Sequence, residues 1–132
     1  MRKRLLSLLF LSLYGSMLFA QEPLDINDVE RVPLGDFTYQ WRNIYDRTPL
    51  HGKCRIILSY RSYTIAHFNK DGILDGLYEK YEDNHLVQKL TYVKGILRGK
   101  GYEYYTDGTV KKECVWNEQG KIDGLMIEYN RI

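Results

Sequence analysis

The chain has 132 residues, with 19 Lys and Arg against 17 Asp and Glu, 44% hydrophobic residues, 14% aromatic residues and two cysteines. Charge this evenly balanced provides no clustered positive field, which argues against a nucleic-acid or anionic-lipid binder. Two cysteines are too few for a disulfide-stapled scaffold, and an aromatic set dominated by tyrosine suits an ordered β-rich chain.

Residues 1–20 read as a cleavable secretory signal. Arg2, Lys3 and Arg4 precede an apolar run from Leu5 to Phe19 that is broken by Ser7, Ser12, Tyr14, Gly15 and Ser16, too short and too polar to span a bilayer comfortably. Cleavage after Ala20 leaves Gln21 at the new N-terminus. It removes three basic residues, so that 16 face 17 acidic ones. About 112 residues remain, enough for one domain. No cysteine follows the apolar run, so lipid attachment there is unsupported. The expected location is therefore outside the cytoplasm: periplasm, outer envelope or medium.

Residues 21–48 form an N-terminal segment. Pro23 and Pro33 discourage regular structure at their own positions, and residues 25–32 allow at most a turn or two of helix between them. From Phe37 the pattern changes, because Phe37, Tyr39 and Trp41 alternate with Thr38, Gln40 and Arg42 as in a half-buried strand. Tyr45 stands seven residues before Gly52, the offset of Tyr92 before Gly99, which suggests a degenerate leading unit or a strand that caps an exposed edge.

Residues 49–132 are repetitive. Tetrapeptides closing on Gly52, Gly76, Gly99 and Gly124 recur at spacings of 24, 23 and 25 residues, the mark of stacked supersecondary units. After each glycine come two short runs rich in aromatic and β-branched residues with a polar break between them: residues 59–62, 82–85 and 106–109. Each unit thus predicts a β-hairpin. The fold class expected is all-β, an open antiparallel meander of repeated hairpins.

Two columns run through the repeat. The fifth residue after the glycine is Ile57, Tyr81, Tyr104 and Tyr129. In the second run Phe68, Tyr92 and Trp116 recur, with Ala66, Leu90 and Cys114 two residues earlier and so on the same strand face. The expected core is Tyr81, Tyr104, Tyr129, Phe68, Tyr92, Trp116, Leu90 and Cys114. The opposite face is expected to offer Tyr78 and Tyr105, with Tyr102 joining them through a bulge, as rigid contact area for a protein partner.

The pattern of a glycine pair, an aromatic strand, a short turn and a second strand, as in residues 72–81 and 95–105, resembles the bacterial MORN-repeat variant family over residues 49–130. The resemblance implies an elongated meander of hairpins with no enzymatic centre in the repeats. Bacterial members often carry an antitoxin label, and eukaryotic relatives are linked to membranes or protein scaffolding. The first copy departs from the pattern at Arg55, Ile56, Ile57 and Leu58, and the fourth has one strand.

Chemistry-bearing residues are scattered. His51, His67 and His85 occupy different turns or strands without a companion at a metal-ligand offset, and no cofactor is implied. Residues 69–72 with Asp75 have a faint calcium-loop look but lack the ligand spacing and the terminal glutamate, so a turn is the preferred reading. Cys54 and Cys114 fall on the first and sixth strands of the meander. Five spacings of about 4.8 Å put them roughly 24 Å apart, beyond the ~7 Å of a disulfide, and two free thiols are expected. The expected function is a non-enzymatic, exported protein-binding module with an unidentified partner. A membrane- or envelope-glycan-binding module is the alternative, although a near-neutral mature charge offers little to anionic lipid.

Overall fold

The computed structural model describes residues 22–130; the expected signal, residues 1–20, lies outside them. In chain order the elements are β1 (Leu24–Asp25), a 3-10 turn (Ile26–Asp28), β2 (Val29–Gly35), β3 (Thr38–Asn43), β4 (Gly52–Ser59) and β5 (Ser62–Phe68). They continue with β6 (Leu74–Glu82), β7 (His85–Val93), β8 (Ile96–Leu97), β9 (Gly99–Tyr104), β10 (Val110–Trp116) and β11 (Ile127–Glu128).

The fold is an open meander. Strands β4, β5, β6, β7, β9, β10 and β11 lie side by side in antiparallel order, with β8 also against β7 and β1 parallel to β4 at the first edge. Each repeat unit is one hairpin: β4–β5, β6–β7 and β9–β10. In all three the closing glycine stands opposite the second-run aromatic: Gly52 opposite Phe68, Gly76 opposite Tyr92 and Gly99 opposite Trp116. Two residues on, Cys54 faces Ala66, Tyr78 faces Leu90 and Gly101 faces Cys114. Residues paired across an antiparallel ladder share a face, so these two rungs define one inner side of the sheet. Gly52, Gly76, Gly99 and Gly124 all take positive φ, at 74°, 123°, 71° and 89°.

The core lies on this inner side in the first half of the sheet. Leu50, Cys54, Ile56, Ala66, Phe68 and Leu74 are buried together, and Leu24, Ile26, Val29, Trp41, Leu58, Tyr78 and Tyr92 pack against them. Burying a side chain such as Ile56 or Phe68 contributes about 2–3 kcal/mol each. Thr64, the one buried polar residue in this region, sits beside Ile56 in the β4–β5 ladder.

The N-terminal segment supplies the lid of that core. Asp25 caps the 3-10 turn by accepting the Asn27 N–H at 2.8 Å. Residues 29–43 then form a second, two-stranded sheet, β2–β3, instead of staying irregular around Pro33. Pro33 is tolerated because β2 has only one neighbour and the register shifts immediately after it. The hairpin lies across the inner side with the Trp41 ring 5.6 Å from Phe68. Backbone bonds fix it there: Trp41 N–H donates to the Gly72 carbonyl at 2.7 Å, and Leu50 N–H to the Trp41 carbonyl at 2.9 Å. A Cβ on Gly72 would collide with that same Trp41 carbonyl, so the close approach requires glycine. The edge itself is covered by β1, while Tyr45 is 80% exposed and does not join the Phe68, Tyr92 and Trp116 column.

The first and third turns between units share one construction. The Asn69 Oδ1 accepts the N–H groups of Asp71 and Ile73, and the Asn117 Oδ1 those of Gln119 and Lys121. The oxygen that lent residues 69–72 their calcium-loop look is thus occupied by the turn's own backbone.

Candidate interaction surface

Strand alternation sorts the tyrosines into two sets. Tyr78 pairs with both Ala66 and Leu90 and therefore points inward, where it meets Tyr92 edge-on with ring centroids 6.0 Å apart. It belongs to the packed side, contrary to the expectation of an exposed contact residue. Tyr81, three residues on, points the other way. It was expected in the core, but it pairs with Tyr63 and stacks flat on it, centroids 4.9 Å apart and planes 11° from parallel. The reason is parity: with the glycine opposite the aromatic column, the second residue after it faces inward and the fifth faces outward.

The same rule holds in the third hairpin. Tyr102 and Tyr104, two apart on β9, share the outer side and stack at 6.0 Å, so Tyr104 is also outside the inner column. The bulge lies in the opposite strand, at Lys111, and leaves the alternation of β9 intact. Tyr105 is half-buried at the hairpin turn, where its hydroxyl donates to the Tyr129 carbonyl at 2.9 Å and Lys111 Nζ sits 5.8 Å from its ring. Tyr129 is 44% exposed, and its hydroxyl donates to Glu113 at 3.5 Å. Phe68 and Cys114 are buried, and Leu90, Tyr92 and Trp116 are half-buried on the inner side.

The outer side is therefore a tyrosine ladder crossing several strands. The Arg55 guanidinium lies 4.1 Å from the centre of the Tyr63 ring, a cation–π contact at the first-edge end. Tyr81 donates a 3.5 Å hydrogen bond to Glu79. Partial burial raises the Tyr81 hydroxyl above its ordinary range, with Glu79 and Tyr63 adding to the effect; burial, Tyr102 and Glu79 do the same for Tyr104. On the packed side burial raises Tyr78 and Tyr92. Neutral phenols flanked by one cation and one carboxylate offer flat apolar rings with hydroxyl donors, a chemistry suited to protein contacts.

A cleft of about 380 Å³ opens on the inner side beneath the tip of the β2–β3 hairpin. Arg31, Phe37, Tyr39 and Trp41 line one wall, and Leu74, Tyr92 and Leu97 line the other. Arg31 lies 5.8 Å from the Tyr39 ring and 5.4 Å from the Trp41 ring. Asp36 and Phe37 form the tip with φ of 50° and 63°, and Phe37 is 96% exposed. The sequence reading missed this site because Asp-Phe lacks the Asn-Gly character that marks such turns.

Cys54 and Cys114 are buried and are not joined in a disulfide, with burial pushing the Cys54 thiol up. His67 Nδ1 lies 3.0 Å from the Leu77 carbonyl, a local backbone contact. Among the described residues no three His, Cys, Asp or Glu side chains gather into a group that could hold a metal ion.

No protein-family model matches the chain, and no curated protein is similar to it. Among solved structures, the crystal structure of TarM has a TM-score of 0.40 and 14% identity, covering 72% of this chain and 18% of that one. A mutant of S. aureus TarM in complex with Fondaparinux, alpha-GlcNAc-glycerol and UDP has a TM-score of 0.29 and 13% identity, covering 72% and 16%. The chain spans less than a fifth of the length of these proteins. Likeness at this level leaves the function to be argued from this chain's own residues.

Proposed function

We propose that the mature chain is an exported, non-enzymatic repeat module of the MORN-variant type whose outer tyrosine ladder binds another protein. The observation that carries this reading is the pair of stacks, Tyr63 on Tyr81 and Tyr102 on Tyr104, on the side of the sheet opposite the packed core. Stacked rings are already ordered, so a partner loses little conformational entropy in meeting them. The test is capture from the envelope or medium with the wild-type mature chain and with a Tyr81→Ser/Tyr104→Ser double variant. Proteins bound by the wild type and lost by the folded double variant support the reading. Equal capture by both contradicts it.

A second reading, binding of an envelope glycan or a membrane surface, draws on the cleft beneath Phe37. There the guanidinium of Arg31 and the rings of Tyr39 and Trp41 combine a charged donor with flat apolar surface. Co-sedimentation with anionic vesicles at low salt, alongside isolated envelope glycan, separates the two readings. Pelleting that is lost in Phe37→Ser and retained in Tyr81→Ser/Tyr104→Ser favours the second.

A further inference from the structure

The outer side carries charge as well as rings. One rung of paired residues crosses the three hairpins without a break: Arg55 faces Ile65, Ile65 faces Glu79, Glu79 faces Lys89, Lys89 faces Tyr102, and Tyr102 faces Glu113. Residues paired across a ladder share a face, so the whole rung lies on the side of Tyr102. Read from β4 to β10 it runs cation, aliphatic, carboxylate, cation, ring, carboxylate. The charges are antisymmetric about the boundary between β6 and β7. Turning the rung end for end sets Arg55 against Glu113 and Glu79 against Lys89. With strands about 4.8 Å apart, the first pair stands about 12 Å either side of that boundary and the second about 2.4 Å.

The neighbouring rung matches itself in the same way. Ile57 pairs with Tyr63, Tyr63 with Tyr81, Tyr81 with Leu86, and Tyr104 with Val110. Reversal sets Ile57 against Val110, Tyr63 against Tyr104, and Tyr81 against Leu86, so that uncharged side chains meet one another throughout.

We infer that the partner of the outer side is a second copy of this chain, packed face to face about a two-fold axis that runs nearly along the strands between β6 and β7. This rests on the reading that the outer ladder is a binding surface, and names what binds there. An isologous interface needs a surface that is its own complement, which a face of one charge sign cannot provide. Glu79 of one protomer meets Lys89 of its mate twice, once on each side of the axis, and the Arg55 and Glu113 pairs close the ends. Aligned packing of two sheets brings their central strands into register and lets the corners splay, so the central pair is the more tightly opposed. Strands β4, β5, β6, β7, β9 and β10, at about 4.8 Å apart and about 20 Å long, give a footprint of roughly 600 Å² per copy, near the lower end of specific interfaces. The dimer is therefore reversible. Dilute chain is monomeric with its ladder exposed, and the molecule captured in the test above is the endogenous chain.

Sedimentation velocity of the mature chain, from micromolar to millimolar concentration, is the test. The wild type should pass from monomer to dimer. Glu79→Lys and Lys89→Glu should each weaken self-association by about tenfold or more, because like charges then meet twice across the axis. Mixed in equal amounts, the two single variants should form a heterodimer, and the Glu79→Lys/Lys89→Glu double variant should regain self-association, since every reversed charge again finds its opposite. Misfolded variants could do neither. A wild type that stays monomeric overturns the inference, as do single variants that dimerise normally or that stay apart when mixed. If the wild type is monomeric and the Tyr81→Ser/Tyr104→Ser variant still loses a different captured protein, the binding reading survives; equal capture by both removes that reading too.

Discussion

Tyr81 lies flat on Tyr63, and Tyr78, three residues earlier on the same strand, packs edge-on against Tyr92 on the opposite side of the sheet. This contrast divides the aromatic residues of the repeat into those that hold the hairpins together and those that face outward.

The division predicts unequal costs for deleting a ring. Phe68 is 4% exposed and touches Trp41, so Phe68→Ala should lower unfolding stability by about 3–4 kcal/mol. Tyr81→Ala removes one stacked contact and half-exposed area, and should cost about 1 kcal/mol. Urea unfolding of both variants checks the ordering. A larger loss at Tyr81 would reverse the assignment of faces.

A second prediction concerns close packing in the third hairpin. Gly101 is buried, and a Cβ there would overlap the Trp116 ring and come within 2.8 Å of Leu90 Cδ2. Gly101→Ala should therefore destabilise by about 1–3 kcal/mol through overpacking. The thermal midpoint and the tryptophan fluorescence maximum should shift together.

Part of this architecture was legible in the sequence, and the reason is physical. Phe68, Tyr92 and Trp116, with Ala66, Leu90 and Cys114 two residues before them, could be read as one column because strand alternation fixes side chains two apart to one face. The Tyr81 and Tyr104 column was equally regular, but a regular period identifies equivalent positions without saying which face they share. Only the pairing of Gly76 with Tyr92 decides that. Bulges add to the difficulty, since an extra residue at Val87 lets Leu86 pair with Tyr81 while Leu90 pairs with Tyr78. The β2–β3 hairpin was hidden because Pro33 reads as a breaker and the two residues at its tip, Asp36 and Phe37, include no glycine. Its strand address is set by tertiary bonds such as Gln40 Nε2 to the Asp71 carbonyl at 3.0 Å, which no local pattern encodes.

Alkaline pH should weaken the fold in a defined direction. Burial raises the hydroxyl pKa of Tyr78 and Tyr92 above the ordinary tyrosine value of about 10, so the folded chain retains protons that the unfolded chain releases. The contribution is fully present below pH 10, and stability falls as pH rises from there through the raised values. Tyrosine absorbance titration should show a late fraction that Tyr78→Phe reduces. Stability that rises above pH 10 would contradict it.

The thiols give a separate check on the open sheet. Cys54 is 1% and Cys114 7% exposed, with β5, β6, β7 and β9 between their strands. Both should react slowly with a thiol reagent in the native state and promptly in denaturant, and mass spectrometry should find no bond between them.

Photochemical dye polarisation of tyrosine by NMR tests the two-sided sheet most directly, because it reports which rings a small dye can reach in the folded chain. Tyr45 and Tyr60, 80% and 94% exposed, serve as internal standards. Tyr81 and Tyr104 should polarise in the free mature chain and lose that signal when the captured partner is added, while Tyr78 stays dark throughout. Polarisation of Tyr78 with Tyr81 and Tyr104 dark would contradict the account.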